Sequence, residues 1–195
     1  MSHFDLTRKQ ITTIAEEYSF TATNVEKVIR LCKILDDLNT IEAFKGMLAL
    51  KGGTAINLVL IPRLPRLSVD LDLDLAIDCP KEEMLQLRQD MDESLTVYCD
   101  EQGYSINKRE SYSLCSYELL YDTVTGSRDK IKLDINYWAR CHVYPSTESK
   151  VLHTFDTSST IGEYRPELLF GIENKHLEHH PVALSTLDKI KNSIK

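Results

Sequence analysis

Asp70, Asp72 and Asp74 alternate with Leu71, Leu73 and Leu75 in one unbroken stretch. Residues two apart on a β-strand project to the same face, about 6.5–7 Å from one another. Aspartate is depleted in strands, and three carboxylates in a row repel. Such a face is either solvated or balanced by a cation. Carboxylate oxygens are hard ligands that suit Mg2+ or Mn2+ better than zinc. The stretch is therefore a candidate divalent-metal site, weighed against an ordinary solvated sheet face.

A further acid lies on the strand expected over Lys130–Ala139. Lys130, Lys132, Asp134, Asn136 and Trp138 share one face there, and Ile131, Leu133, Ile135 and Tyr137 the other. Alone, Lys132 and Asp134 read as a surface pair. Beside the first motif, Asp134 becomes the natural third carboxylate. Upstream, Gly52-Gly53 sits between a strand and a helix start. Glycine lets the backbone come close to a ligand, and the free N–H groups of a helix start favour an anion. Lys51, Arg63, Arg66 and Ser68 are near enough in sequence to meet phosphate oxygens. One element suits phosphates, the other the metal that bridges them.

These residues need a scaffold, and the apolar periods supply one. Ile11, Ile14, Ala15 and Tyr18 predict a short helix. Thr23-x-x-Glu26 reads as a capping box opening a second helix with Val25, Val28, Ile29, Cys32 and Leu35 inside. Met47–Leu50 predicts a strand, and Ala55–Ile61 a short buried helix closed by Pro62 and Pro65. Leu67–Leu75 is the acidic strand. Pro80–Gly103 predicts an amphipathic helix with Met84, Leu87, Met91, Leu95 and Tyr98 inside. Tyr112–Tyr121 and Lys130–Ala139 form a hairpin across Thr125–Asp129, and Val151–Phe155 is a further extended piece. Ser185-Thr186-Leu187-Asp188 starts a helix with Leu187, Ile190 and Ile194, and the chain stops within it at Lys195. The pattern predicts an α+β domain over residues 1–183, with 184–195 the start of a C-terminal helical region cut short.

Composition bounds the function classes. At 195 residues and 22.4 kDa, with 42% hydrophobic and 27% charged residues, the chain is globular rather than disordered. No apolar run approaches the roughly 20 residues of a membrane helix, and the first residues lack a signal-peptide pattern, so a cytoplasmic protein without a membrane partner is expected. A net charge of −7 argues against nucleic-acid binding by bulk charge. A local groove from Lys108, Arg109, Arg128, Lys130 and Lys132 stays open beside the simpler reading of a solvated surface. Five cysteines, none in a Cys-x-x-Cys pair, predict reduced thiols without a chemical role. His176 and His180 lack a third ligand and read as surface residues. Trp138 is expected to pack in a core or interface rather than stack on a base.

Gly52-Gly53-Thr54 followed by Arg66-x-Ser68-x-Asp70-x-Asp72 resembles the signature of polymerase-beta-like nucleotidyltransferases. More narrowly, Leu50–Ala55 with Leu64–Leu73 is similar to the AbiEii/AbiGii toxins, the toxin halves of bacterial toxin–antitoxin pairs of the abortive-infection type. The likeness is specific over about Leu48–Leu75. It implies a mixed sheet flanked by helices, with a helical N-terminal cover, holding a nucleoside triphosphate and Mg2+ (or Mn2+). Carried over by position, Lys51, Gly52, Gly53, Thr54, Arg66 and Ser68 would meet phosphates, and Asp70, Asp72 and Asp134 would hold metal. Asp74 would lie in an outer shell, and Lys189 would face the phosphates from the C-terminal region. The implied reaction is nucleotide transfer from a triphosphate to a hydroxyl such as a tRNA 3′ end, with a cognate antitoxin as partner. The alternative is a non-catalytic module of the same fold that binds nucleotide or antitoxin; a plain metal-dependent phosphohydrolase is a third reading. The longer helical domain usual in the family is not seen beyond Lys189.

Overall fold

A computed structural model describes residues 6–60, 67–138, 147–148 and 171–172. Two helices come first, α1 (Arg8–Tyr18) and α2 (Ala22–Leu38). Strand β1 (Leu48–Lys51) runs straight into the four-residue helix α3 (Gly52–Ala55) and a π turn at Ile56–Leu60. Next come β2 (Asp70–Leu75), the long helix α4 (Lys81–Gln102), β3 (Ser105–Glu110), β4 (Leu114–Asp122) and β5 (Arg128–Asn136). Two-residue strands β6 (Thr147–Glu148) and β7 (Gly171–Ile172) complete the described elements. They form one mixed sheet in the order β3-β4-β5-β2-β1-β7-β6. The β2–β5 and β1–β7 pairs are parallel and the other neighbours antiparallel.

One sheet face is apolar because its strands alternate. Leu71, Leu73 and Leu75 of β2, Cys115, Tyr117, Leu119 and Tyr121 of β4, and Ile131, Leu133 and Ile135 of β5 are all buried. They belong to one core with Ile11 and Ile14 of α1, Val25, Leu31 and Leu35 of α2, and Met84, Met91 and Leu95 of α4. The helices thus cover this face, and β2 and β5 turn their acids to the other. The α+β class and the mixed sheet flanked by helices agree with the sequence.

Several elements differ from expectation. Thr21, not Thr23, caps α2: it lies in extended backbone and its hydroxyl accepts from the Asn24 N–H. Glu26, expected as the reciprocal partner in that cap, instead points inward. Its carboxylate takes Arg30 at 2.8 Å and the Val124 N–H at 3.0 Å, and Glu26 and Arg30 are 1% and 2% exposed. The Arg30 guanidinium also lies 4.3 Å from the Tyr121 ring centroid. This pair ties α2 to the β4–β5 turn.

Strand β3 is absent from the sequence reading because Ser105-Ile106-Asn107-Lys108-Arg109-Glu110 has almost no apolar face; it is an edge strand held by backbone pairing with β4. The acidic strand begins at Asp70, because the Ser68 N–H is taken by the Asn57 side chain at 2.7 Å. Trp138 is 69% exposed and meets only the edge of Tyr112 among described aromatic rings. The strand ladder has ended at Asn136, and Tyr137 is the last residue to turn inward. The piece at Val151–Phe155, the helix from Ser185, and Cys141, His176 and His180 lie outside the described residues.

Removing one partner from a buried ion pair leaves an uncompensated charge, which costs about 3–5 kcal/mol. Glu26→Ala should therefore lower the unfolding free energy by about 3 kcal/mol or more, read from the urea midpoint. Lys27→Ala, which breaks the more exposed pair to Asp129, should cost less than about 1 kcal/mol.

Candidate active site

The parallel pairing of β2 with β5 decides which acids meet. Asp70 is set against Lys132, Asp72 against Asp134, and Asp74 against Asn136. The antiparallel pairing on the other side sets Asp72 against Lys51. Asp72 therefore sits at the centre, with Asp134 beside it on one strand and the start of α3 beside it on the other.

The three aspartates of β2 share a face but not an environment. Asp70 is exposed, Asp72 half-buried, and Asp74 only 2% exposed. Asp74 is neutralised internally: Lys51 Nζ forms an ion pair with it, and Asn136 Nδ2 donates to it at 2.8 Å. Asp134 has both oxygens engaged, Oδ1 by the Ser116 hydroxyl and Oδ2 by Lys132 Nζ at 2.7 Å. Burial holds the Asp72 carboxyl above its ordinary range. The charges of Asp134 and Asp70 push it the same way, and Lys132 and Lys51 pull it back.

The glycines are shaped by this carboxylate. Gly52 has a φ of +70°, and a Cβ there would stand 2.5 Å from Asp72 Oδ2. A Cβ on Gly53 would stand 3.0 Å from Ser68 Oγ. At four residues, α3 has little dipole to offer. Its contribution is two side-chain-free positions, Gly52 against Asp72 and Gly53 against Ser68. Thr54 is buried, and its hydroxyl donates to the Asp70 carbonyl and lies 3.0 Å from Ser68 Oγ. This clamp fixes the entry to β2.

Lys51, Gly52, Gly53, Thr54, Ser68, Asp70, Asp72 and Asp134 are thus brought to one region of the sheet. Arg66 and Lys189 lie outside the described residues. As the side chains stand, no three His, Cys, Asp or Glu groups among the described residues converge on a metal position. Mg2+ needs fewer: it keeps several waters and takes one or two carboxylates plus substrate phosphates. Asp72 and Asp134, hard oxygen donors opposite one another, fit that requirement.

Ser116, Asn136 and Asn57 are the site residues that the sequence did not single out. Their polar positions on the strands were visible, but their partners follow from register and loop path.

The remaining chemistry is muted. Lys108 pairs with Asp92 and Glu110, Lys130 with Glu118, and Lys132 with Asp134, so these three lysines of the basic groove that the sequence left open are each neutralised. Cys32, Cys79, Cys99 and Cys115 are buried and form no disulfide among the described residues. Burial pushes Cys32 and Cys99 up to about 12, where the reactive thiolate is scarce. No described helix is long and apolar enough to cross a membrane.

The sequence profile described as "Nucleotidyl transferase AbiEii toxin, Type IV TA system" matches residues 33–167, a span that holds the whole acidic face. Comparison with curated proteins gave no match. Among solved structures the chain is similar to MenT4, a nucleotidyltransferase toxin from Mycobacterium tuberculosis H37Rv, with a TM-score of 0.51 and 17% identity. That alignment covers 89% of this chain and 57% of the other, so the chain spans little more than half the length of that toxin. At this identity the likeness is one of fold.

Two outcomes follow from the geometry. An aspartate with a raised folded-state pKa binds its proton more tightly folded than unfolded, so its contribution to stability falls as pH rises. In chelator at pH 7, Asp72→Asn should stabilise the chain by up to about 1 kcal/mol, the scale of a cross-strand pair. In thermal melts the gain should disappear as pH falls below about 3.9, where the unfolded carboxylate also protonates. Gly52→Ala should destabilise by about 1–2 kcal/mol from its left-handed backbone alone. Gly53→Ala meets only a side-chain hydroxyl and should cost less in the same urea titration.

Proposed function

Because the chain belongs to the family of AbiEii nucleotidyltransferase toxins of type IV toxin–antitoxin systems, we propose that it moves a nucleotidyl group from a nucleoside triphosphate to an acceptor hydroxyl. The observation that carries this reading is the meeting of Gly52 with Asp72 and of Asp72 with Asp134. Bare backbone at Gly52 packs directly on Asp72, and so adjoins a pair of carboxylates suited to a divalent ion.

Asp72 and Asp134 would hold Mg2+ or Mn2+, with Asp70 at the exposed start of the same strand. The ion, when bound, supplies charge neutralisation on the phosphates and acidifies a nearby hydroxyl. Gly52 and Gly53 would present bare backbone to the triphosphate beside the carboxylates, and the Thr54–Ser68 clamp fixes the loop end there. The acceptor oxygen attacks the α-phosphorus in line. The bond from that phosphorus to the α–β bridging oxygen breaks, and pyrophosphate leaves with the electron pair. Asp134, once freed from Lys132, is the acceptor for the hydroxyl proton. Lys51 supports this face from below, through Asp74, rather than standing free. Arg66 and Lys189 are proposed as further phosphate contacts.

The acceptor is proposed to be a tRNA 3′ end, the setting the bacterial cytoplasm, and the partner a cognate antitoxin. The test is incubation of the chain with labelled triphosphate, Mg2+ and total tRNA, following pyrophosphate release and label on RNA. Asp72→Asn and Asp134→Asn should each lower transfer at least 100-fold, on the order expected when charge stabilisation is lost. Full transfer by either variant overturns the mechanism. Release of phosphate instead of pyrophosphate moves the chain to the hydrolases, and nucleotide binding without transfer leaves a binding module.

A further inference from the structure

Lys132 lies on the acidic face itself. It is the cross-strand neighbour of Asp70, and its Nζ sits 2.7 Å from Asp134 Oδ2. Its side chain is 47% exposed, whereas that of Asp134 is 16% exposed. The other oxygen of Asp134 is held by Ser116, whose strand is locked by continuous pairing with β5. Asp134 therefore has one fixed partner and one movable one. Lysine is a compact charge on a flexible stem, and an exposed ion pair contributes only about 0.2–1 kcal/mol. The position is electrostatically necessary, because Asp70, Asp72 and Asp134 otherwise carry three negative charges with no other described cation on Asp134. Lys51, the nearest alternative, is committed to buried Asp74.

We propose that Lys132 is a built-in counter-ion that a divalent cation must displace from Asp134, so that this residue sets the metal affinity of the site. The inference rests on the reading of Asp72 and Asp134 as metal carboxylates. In the resting chain, Lys132 balances the repulsion across β2 and β5. When a divalent ion enters, its ammonium leaves Asp134 Oδ2 for solvent or phosphate, and the exposed stem permits the move without disturbing the sheet. Lys132 thus lowers the cost of holding the acids together at the expense of metal affinity.

The probe is Mn2+ alone, titrated calorimetrically into the full chain at 0.15 M salt, with melts taken in chelator and in saturating Mn2+. Lys132→Met should bind Mn2+ about three- to fivefold more tightly than the wild type, the ratio set by loss of a competing exposed pair. It should melt lower in chelator and show a larger Mn2+-induced rise in Tm. Lys132→Arg should keep the weaker wild-type affinity. Lys130→Met removes the same charge from the same strand face but from Glu118. At this ionic strength its remote effect is screened, and affinity should change less than about twofold. Unchanged affinity in Lys132→Met, or equal tightening in Lys130→Met, overturns displacement while Mn2+ binding lost in Asp72→Asn leaves the site reading intact. Absence of Mn2+ binding in the wild type and every variant removes the site reading, and this inference with it.

Discussion

Two carboxylates, Asp72 and Asp134, stand opposite one another on adjacent parallel strands. Like charges in that position oppose pairing, and the centre of the sheet is built around containing them. The force that holds them is on the other side: Leu71, Leu73, Leu133 and Ile135 are fully buried against the helices. A slip of one residue between β2 and β5 would separate the acids. It would also turn these side chains out of the core, because side-chain direction has a period of two. The apolar face thus fixes a register that the acidic face alone would reject.

Compensation on the acidic face is graded by depth. Asp74, at the buried end, is closed off by Lys51 and Asn136. Asp134 has a fixed hydroxyl and an exposed lysine. Asp72 has the least, and its carboxyl is held above the usual range by burial and by its two acidic neighbours. The strand therefore changes along its length from a closed ion pair at Asp74 to a half-buried, repelled carboxylate at Asp72. Glu26 and Arg30 show the structural limit of the same chemistry. They are enclosed, bonded to backbone at both ends, and remote from the acidic face, and they join helix layer to sheet.

Gly52 links this electrostatic centre to the turn from β1 into α3. Its left-handed φ and the nearness of Asp72 Oδ2 both exclude a side chain. The requirement is thus set by the carboxylate on the neighbouring strand as much as by the turn. The half-buried, repelled acid weakens the fold, and in the function proposed above it is the same group that would offer an oxygen to the metal.

Local periodicity was enough to place Asp70, Asp72 and Asp74 on one strand face and Met84, Met91, Leu95 and Tyr98 inside one helix, because both patterns depend only on spacing. Set beside that acidic strand, Gly52-Gly53 and Asp134 became candidates, although each alone reads as plain structure. Periodicity failed where stability comes from pairing rather than from an apolar face. The polar edge strand Ser105–Glu110 has no alternation to read, and Thr21 rather than Thr23 caps α2 because Glu26 is drawn inward by Arg30 and the Val124 amide. Only the tertiary structure decided that Asp72 meets Asp134, that Lys51 serves Asp74, and that Ser116 holds the oxygen of Asp134 that its strand neighbour Lys132 leaves. Those partners are 18 to 62 residues apart or lie across a strand register. Spacing along a strand fixes which way a side chain points. Which neighbour it finds, and how much water remains around it, is set by the order and register in which the strands are assembled.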